Sequence, residues 1–202
     1  MKKLAVMFFI AALFISAAFN FGVVQGENIS DSVLRLHIPA NSNSEKDQGI
    51  KLKIRDRVLE KYSHILELGN DREEAEATLE NNLNEIKKDV NMWLKQEGAD
   101  YGAEVYLAYS DFPSKNYGEL RFPAGNYKAL KIVLGKGEGE NWWCVMFPPL
   151  CFIDGSIKEV DEKEYEALKK ELGKTAFEIV TYEGESVFLK FKIVEIVNNI
   201  IG

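Results

Sequence analysis

The side chains of this 202-residue chain with the chemistry for catalysis or metal binding are two cysteines, two histidines and 32 acids, and their spacing sets what they can do. Cys144 and Cys151, with six residues between them, both fall in the stretch NWWCVMFPPLCF, Asn141 to Phe152. Three readings compete for it: a nucleophilic thiol in an aromatic site, a disulfide closing a hairpin, or an apolar platform offered to another protein. A reactive thiol needs a lowered pKa, from a helix N-terminus or a neighbouring histidine. Cys144 falls in a strand-like run and Cys151 follows a Pro-Pro bend, so neither has a helix N-terminus, and His37 or His64 would have to approach through space. Two histidines with 26 residues between them and two cysteines with six between them match no compact zinc spacing. No metal and no cofactor are expected. Nothing in the spacing of the acids singles out a catalytic pair, so no catalytic residue is assigned.

Adjacent strand residues point to opposite faces, so Trp142 and Trp143 cannot both face a one-sided core. The strand half of the stretch, Trp142 to Met146, is expected to bury, and the stiff loop Phe147 to Phe152 to be exposed. Aromatic and apolar residues of this kind are enriched at binding hot spots. Trp142, Trp143, Phe147, Pro148, Pro149, Leu150 and Phe152 are therefore the candidate partner surface.

These residues belong to a chain whose start reads as an export signal. Lys2 and Lys3 precede Leu4 to Ala18, fifteen residues apolar except for Ser16, the charged-then-apolar layout of a secretory signal. Cleavage is expected after Gly26, with an uncleaved anchor as the alternative, because Leu4 to Val24 is 21 residues with only Ser16, Asn20 and Gly22 non-apolar. Membrane contact is then expected only through this N-terminal segment. The remaining residues, 27–202, are the length of one domain with a real core. Removing residues 1–26, which hold two lysines and no acid, takes the net charge from −7 to −9. That excess disfavours nucleic acid as a partner, since phosphate binding needs a surplus of Lys and Arg. In an exported chain, an even cysteine count reads most simply as a Cys144–Cys151 disulfide.

The periodicity supplies the frame. Leu34, Leu36 and Ile38 alternate with Arg35 and His37 as a half-buried strand ended by Pro39. Ser44 and Asp47 look like a capping box opening a helix, in which Ile50, Ile54, Val58, Tyr62 and Ile65 share a face to about Leu66. A second helix after Asp71 repeats the pattern with Ala75, Leu79, Leu83, Ile86, Val90, Trp93 and Leu94 and ends before Gly98. The short connection makes the two helices antiparallel neighbours. From Tyr101 the period becomes two: AEVYLAYS, Ala129 to Leu134 and Trp142 to Phe147 read as strands. The glycines Gly135, Gly137 and Gly139 join the last two as a hairpin, since a dinucleotide loop would have to open a helix. Asp154-Gly155 is a turn, Val160 to Leu172 a short helix, Phe177 to Tyr182 and Ser186 to Lys192 strands, and Ile193 to Ile200 a final helical turn. There is no repeat or interdomain linker. The expected fold is α/β of the α+β type: one mixed domain with a largely antiparallel sheet, two long antiparallel helices and one shorter helix, behind a signal segment.

Three stretches resemble a known family. RLHIPANSNSEKDQGIKLKIRD (Arg35 to Asp56), RFPAGNYKALKIVLGKGEGENWWCVMFPPLCF (Arg121 to Phe152) and the closing FKIVEIV are similar to stage II sporulation protein R of endospore-forming bacteria. The resemblance implies a signalling protein made in the forespore and secreted into the intermembrane space between forespore and mother cell. There it would activate a membrane-embedded aspartic protease of the mother-cell septal membrane, which cleaves the sigma-E precursor. No catalytic residue comes with the resemblance. The competing expectation is an extracytoplasmic cysteine-dependent hydrolase acting on peptide or cell-wall amide bonds, with a free thiol beside His37 as its signature.

Overall fold

The computed structural model describes residues 2–66, 71–151 and 162–181. In chain order the elements are α1 (Lys2–Asp31), β1 (Leu34–Pro39), α2 (Glu45–Leu66), α3 (Arg72–Gln96), β2 (Ala103–Phe112), β3 (Lys115–Tyr117), β4 (Leu120–Phe122), β5 (Gly125–Leu134), β6 (Asn141–Phe147) and α4 (Glu162–Thr181). The long strands form one sheet in the order β2-β5-β1-β6, parallel only between β1 and β5, and β3 pairs with β4 as a separate antiparallel hairpin. The mixed α/β fold with a mostly antiparallel sheet is the one expected.

The two long helices form as their caps dictate. Ser44 Oγ accepts from the Asp47 N–H at 3.1 Å and Asp71 Oδ1 from the Glu74 N–H at 2.9 Å, each satisfying one orphan donor of a first turn. The Ser44–Asp47 capping box is only half made: the Asp47 carboxylate instead accepts from Ser42 Oγ, Asn41 Nδ2 and the Tyr101 hydroxyl at 2.6, 2.8 and 2.7 Å. At the end of α3, Gly98 has φ 70°, and the Gly98 and Ala99 N–H groups return to the Lys95 and Leu94 carbonyls, the glycine-terminated stop of a Schellman motif. Ion pairs from Lys53 and Arg57 to Glu97, and from Lys61 to Glu85, fix α2 and α3 as antiparallel.

Burial runs through both faces of the sheet. On one face Leu36, Ile38, Leu130, Ile132, Val105 and Cys144 pack under the apolar stripes of α2 and α3. On the other, Ala129 and Val145 pack with Ile29 and Val33 around the end of α1, with Leu120 and Phe122 of β4, and with Leu168, Leu172 and Phe177 of α4. Every residue of β1 is therefore buried. The half-buried strand read from its alternation is corrected, because a second layer covers the Arg35 side.

Two further expectations are corrected. β5 and β6 are not a hairpin: β1 lies between them, and the glycine loop crosses the end of β1 by wrapping the turn Ala40 to Asn43. The Gly139 N–H donates to the Ala40 carbonyl at 2.8 Å, and Asn41 Oδ1 and Asn43 Oδ1 accept from the N–H groups of Lys136 and Glu140 at 3.0 and 2.7 Å. A Cβ on Gly139 would stand 2.3 Å from the Ser42 carbonyl oxygen, so the glycine answers a close approach of two backbones. Residues from Phe177 onward were expected as a strand, but α4 continues to Thr181 through a break at Gly173 (φ 67°). Leu168, Leu172, Ala176, Phe177 and Val180 are all buried at helical spacing, and that packing overrides the β-propensity of Ile179, Val180 and Thr181. The Asp154-Gly155 turn, the start of the expected helix at Val160, Tyr182, the strand Ser186 to Lys192 and the terminal helical turn lie outside the described residues.

The described apolar side chains of α1 between Val6 and Phe21 that are exposed include Phe9, Leu13, Phe14 and Ile15, whereas Ile29 is buried. Among the described residues no helix is long and apolar enough to cross a membrane.

Candidate functional site

The aromatic and cysteine block is built on β6, whose register against β1 places each side chain. Leu36 faces Cys144, His37 faces Trp143 and Ile38 faces Trp142. The two tryptophans take opposite faces, as their adjacency requires. Trp142 lies on the helix side with the Arg55 guanidinium 4.1 Å from its ring centroid. Trp143 lies on the other side, stacked on His37 with centroids 5.8 Å apart and planes 18° from parallel, and the Lys115 ammonium lies 5.4 Å from its ring centroid.

Cys144 and Cys151 form a disulfide with Cα atoms 5.5 Å apart, within the range a bridge requires. The bridge draws the Pro148-Pro149 loop back onto the outer edge of β6. The Leu150 N–H donates to the Val145 carbonyl at 3.1 Å, and the Cys151 sulfur, which has no proton to donate once bridged, touches the same oxygen at 3.0 Å. The Tyr117 hydroxyl meets the Trp143 carbonyl at 3.4 Å. This edge of the sheet is thus blunted by the chain itself.

The strand end of the block is buried as expected at Cys144, Val145 and Met146, and the expectation is corrected at the two tryptophans and in the loop. Phe147, Pro148 and Leu150 are buried, Leu150 to 1% exposure, because the returning loop inserts Leu150 into the cluster around α4 and β4. The half-buried members are Trp142, Trp143 and Pro149. Phe152 lies outside the described residues.

His37 is a hydrogen-bonded strand residue. Its Nε2 meets Asn141 Oδ1 at 2.8 Å, which makes Nε2 the protonated nitrogen, and Phe112 lies edge-on at 5.8 Å. Burial holds its pKa below the ordinary histidine value, against the Asn141 bond and with help from Lys131. By register it points away from Cys144, to the opposite face of the sheet. The His64 side chain lies outside the described residues. Neither bridged cysteine can supply a thiolate while the disulfide is closed. Among the described residues no group of three or more His, Cys, Asp or Glu is placed to hold a metal ion.

The periodicity did not single out Arg35. Its side chain is fully buried beneath the β3–β4 hairpin, with Nε donating to the Cys144 carbonyl at 3.1 Å and Nη2 to the Tyr117 hydroxyl at 3.2 Å. Phe112 and Tyr127 stand 4.3 and 4.7 Å from the guanidinium carbon, an aromatic cage of the cation–π kind. Burial lowers its pKa, opposed by Tyr117 and Tyr127. A charged residue inside a strand whose neighbours Leu34 and Leu36 are core was the one available signal, and alternation assigned it to solvent.

The whole block lies inside the part of the chain that known proteins share. The sequence family described as stage II sporulation protein R matches residues 30–157, from the end of α1 through β6 and beyond. Stage II sporulation protein R of Bacillus subtilis (strain 168) is 42% identical over 161 residues, covering 78% of this chain and 70% of the relative. No solved structure matches the chain. The match over residues 30–157, which takes in the sheet, the disulfide and the glycine loop, together with the 42% identity, shows that this chain belongs to the stage II sporulation protein R family.

Proposed function

We propose that residues 27–202 are a secreted intercellular signal of sporulation. The forespore releases them into the space between the two membranes, and they activate a membrane-embedded aspartic protease of the mother-cell septal membrane that processes the sigma-E precursor. Membership of the stage II sporulation protein R family carries the sporulation role, and it is the observation on which this reading rests. The basic-then-apolar N-terminus supports export. The Cys144–Cys151 bridge supports a destination where disulfides persist. A ligand needs a stable, shaped surface and no reactive group, which fits cysteines committed to a bridge and a histidine committed to Asn141. The hydrolase alternative asks for a thiolate beside His37, and neither half of that pair is placed for it.

The test is complementation. The full-length chain, produced in the forespore of a sporulating strain that lacks its own copy, should restore cleavage of the sigma-E precursor in the mother cell. A form lacking Met1 to Gly26, trapped in the forespore cytoplasm, should not. Cleavage restored equally by both forms would defeat the secreted-ligand reading. Amidase or peptidase activity of the purified chain, lost in Cys144→Ser, would revive the hydrolase.

A further inference from the structure

Resting on the reading of this chain as a secreted protein ligand, we infer that the half of the second sheet face that the described residues leave partly open, centred on Trp143, docks an acidic, carboxylate-bearing segment of its partner protein. One row of register partners crosses the entire sheet: Tyr106, Lys131, His37 and Trp143, from β2 through β5 and β1 to β6. The next row, Ala108, Ala129, Arg35 and Val145, lies toward the layer formed by the end of α1, the β3–β4 hairpin and α4. The Trp143 row extends past that layer. Tyr106 is 38% exposed, Lys131 and Trp143 are half-buried, His37 between them is buried, and Lys115 reaches in from β3 to flank the Trp143 ring.

Charge decides what this face takes. The chain carries a net charge of −7, and Lys53, Lys61, Lys87, Lys128 and Lys169 each hold a carboxylate. Among the described residues Lys115 and Lys131 have no ion pair, which they share with Lys88 and Lys95 of α3, but they alone of these flank the Trp143 row. Glu104, the acid nearest the row along β2, turns its carboxylate away to Lys87 at 2.6 Å. Two unmatched ammonium groups beside a stacked indole–imidazole floor form a positive, flat patch on an otherwise acidic protein. Carboxylates satisfy such a patch, and a basic segment is repelled by it. The rings are held in place by their own packing, so docking orders little that was free. The patch replaces the Pro-Pro loop as the contact surface, since that loop is folded inward.

The test uses the full-length chain in the same complementation strain. Lys115→Glu combined with Lys131→Glu should slow sigma-E precursor cleavage at least tenfold, with export and melting temperature unchanged. The equal charge change on α3, Lys88→Glu with Lys95→Glu, should leave cleavage as in the unaltered chain. Cleavage at the unaltered rate by the Lys115 and Lys131 double variant overturns the inference. Failure of the unaltered chain to restore cleavage overturns instead the ligand reading beneath it. On the purified chain, acrylamide should quench the fluorescence that Trp143→Phe removes. Shielding of that signal in the monomer would mean that the chain's own residues cover the face. Shielding that appears only as concentration rises would assign it to a second copy. Either result overturns the proposal.

Discussion

His37 and Trp143 face each other across β1 and β6 with their rings stacked 5.8 Å apart, and the His37 Nε2 proton is directed at Asn141. The fold therefore favours the neutral ring: burial lowers its pKa below 6.5, the Asn141 bond opposes this and Lys131 reinforces it. The unfolded chain takes up the proton first as pH falls. His37 thus makes no pH-dependent contribution well above pH 6.5, and below it stability declines until the folded ring also titrates. The stability difference between the unaltered chain and His37→Gln, from urea unfolding at several pH values, should be level above about pH 7.5 and shrink below about pH 6.5. A difference that does not change between those values would contradict the buried neutral ring.

Replacing both Cys144 and Cys151 with serine should destabilise the chain by about 2 to 3 kcal/mol, the chain-entropy value for so short a loop. It should leave precursor cleavage measurable at permissive temperature. Denaturant unfolding with and without reductant checks the first part, and complementation the second. Complete loss of cleavage in a fully folded double variant would give the cysteines a role beyond bracing the loop.

Leu150→Asp should cost about 4 kcal/mol or more, because it buries a carboxylate in the apolar cluster that includes Leu120, Phe122 and Leu168. Pro149→Asp, on the half-exposed side of the same loop, should cost far less. Circular dichroism melts of the two proteins decide it, and equal melting temperatures would return the loop to the surface.

Two glycines should respond in opposite directions. Gly49 lies inside α2 with open space around its Cβ direction, so Gly49→Ala should stabilise by about 0.5 to 1 kcal/mol. Gly139→Ala drives a Cβ against the Ser42 carbonyl and should destabilise by at least about 1 kcal/mol. Thermal melts check both, and a Gly139→Ala melting temperature at or above that of the unaltered chain would rule out the packing of the glycine loop on the Ala40 to Asn43 turn.

Arg35→Met should cost at least about 1 kcal/mol less than Arg35→Ala. The thioether chain fills the cage that Phe112 and Tyr127 form, whereas alanine leaves a cavity. Both lose the bond to the Cys144 carbonyl, so the comparison isolates the packing. Equal losses by urea unfolding would mean that the charge and its hydrogen bonds dominate there.

The sequence by itself determined the elements whose causes are local. The starts of α2 and α3 follow from Ser44 and Asp71, the end of α3 from Gly98, and the opposite facing of Trp142 and Trp143 from the two-residue period of a strand. The Cys144–Cys151 bridge was legible because the bend and the small separation bring only each other within reach. Only the tertiary structure decided which faces are covered twice. Alternation sent Arg35 toward solvent, but β1 is an inner strand with layers on both sides, and period two reports the parity of a face without reporting what lies on it. The same limit placed Leu150 outside and joined β5 to β6. A returning loop and an inserted strand are contacts between residues far apart in the chain, where loop closure and burial of distant apolar surface outweigh the local pattern.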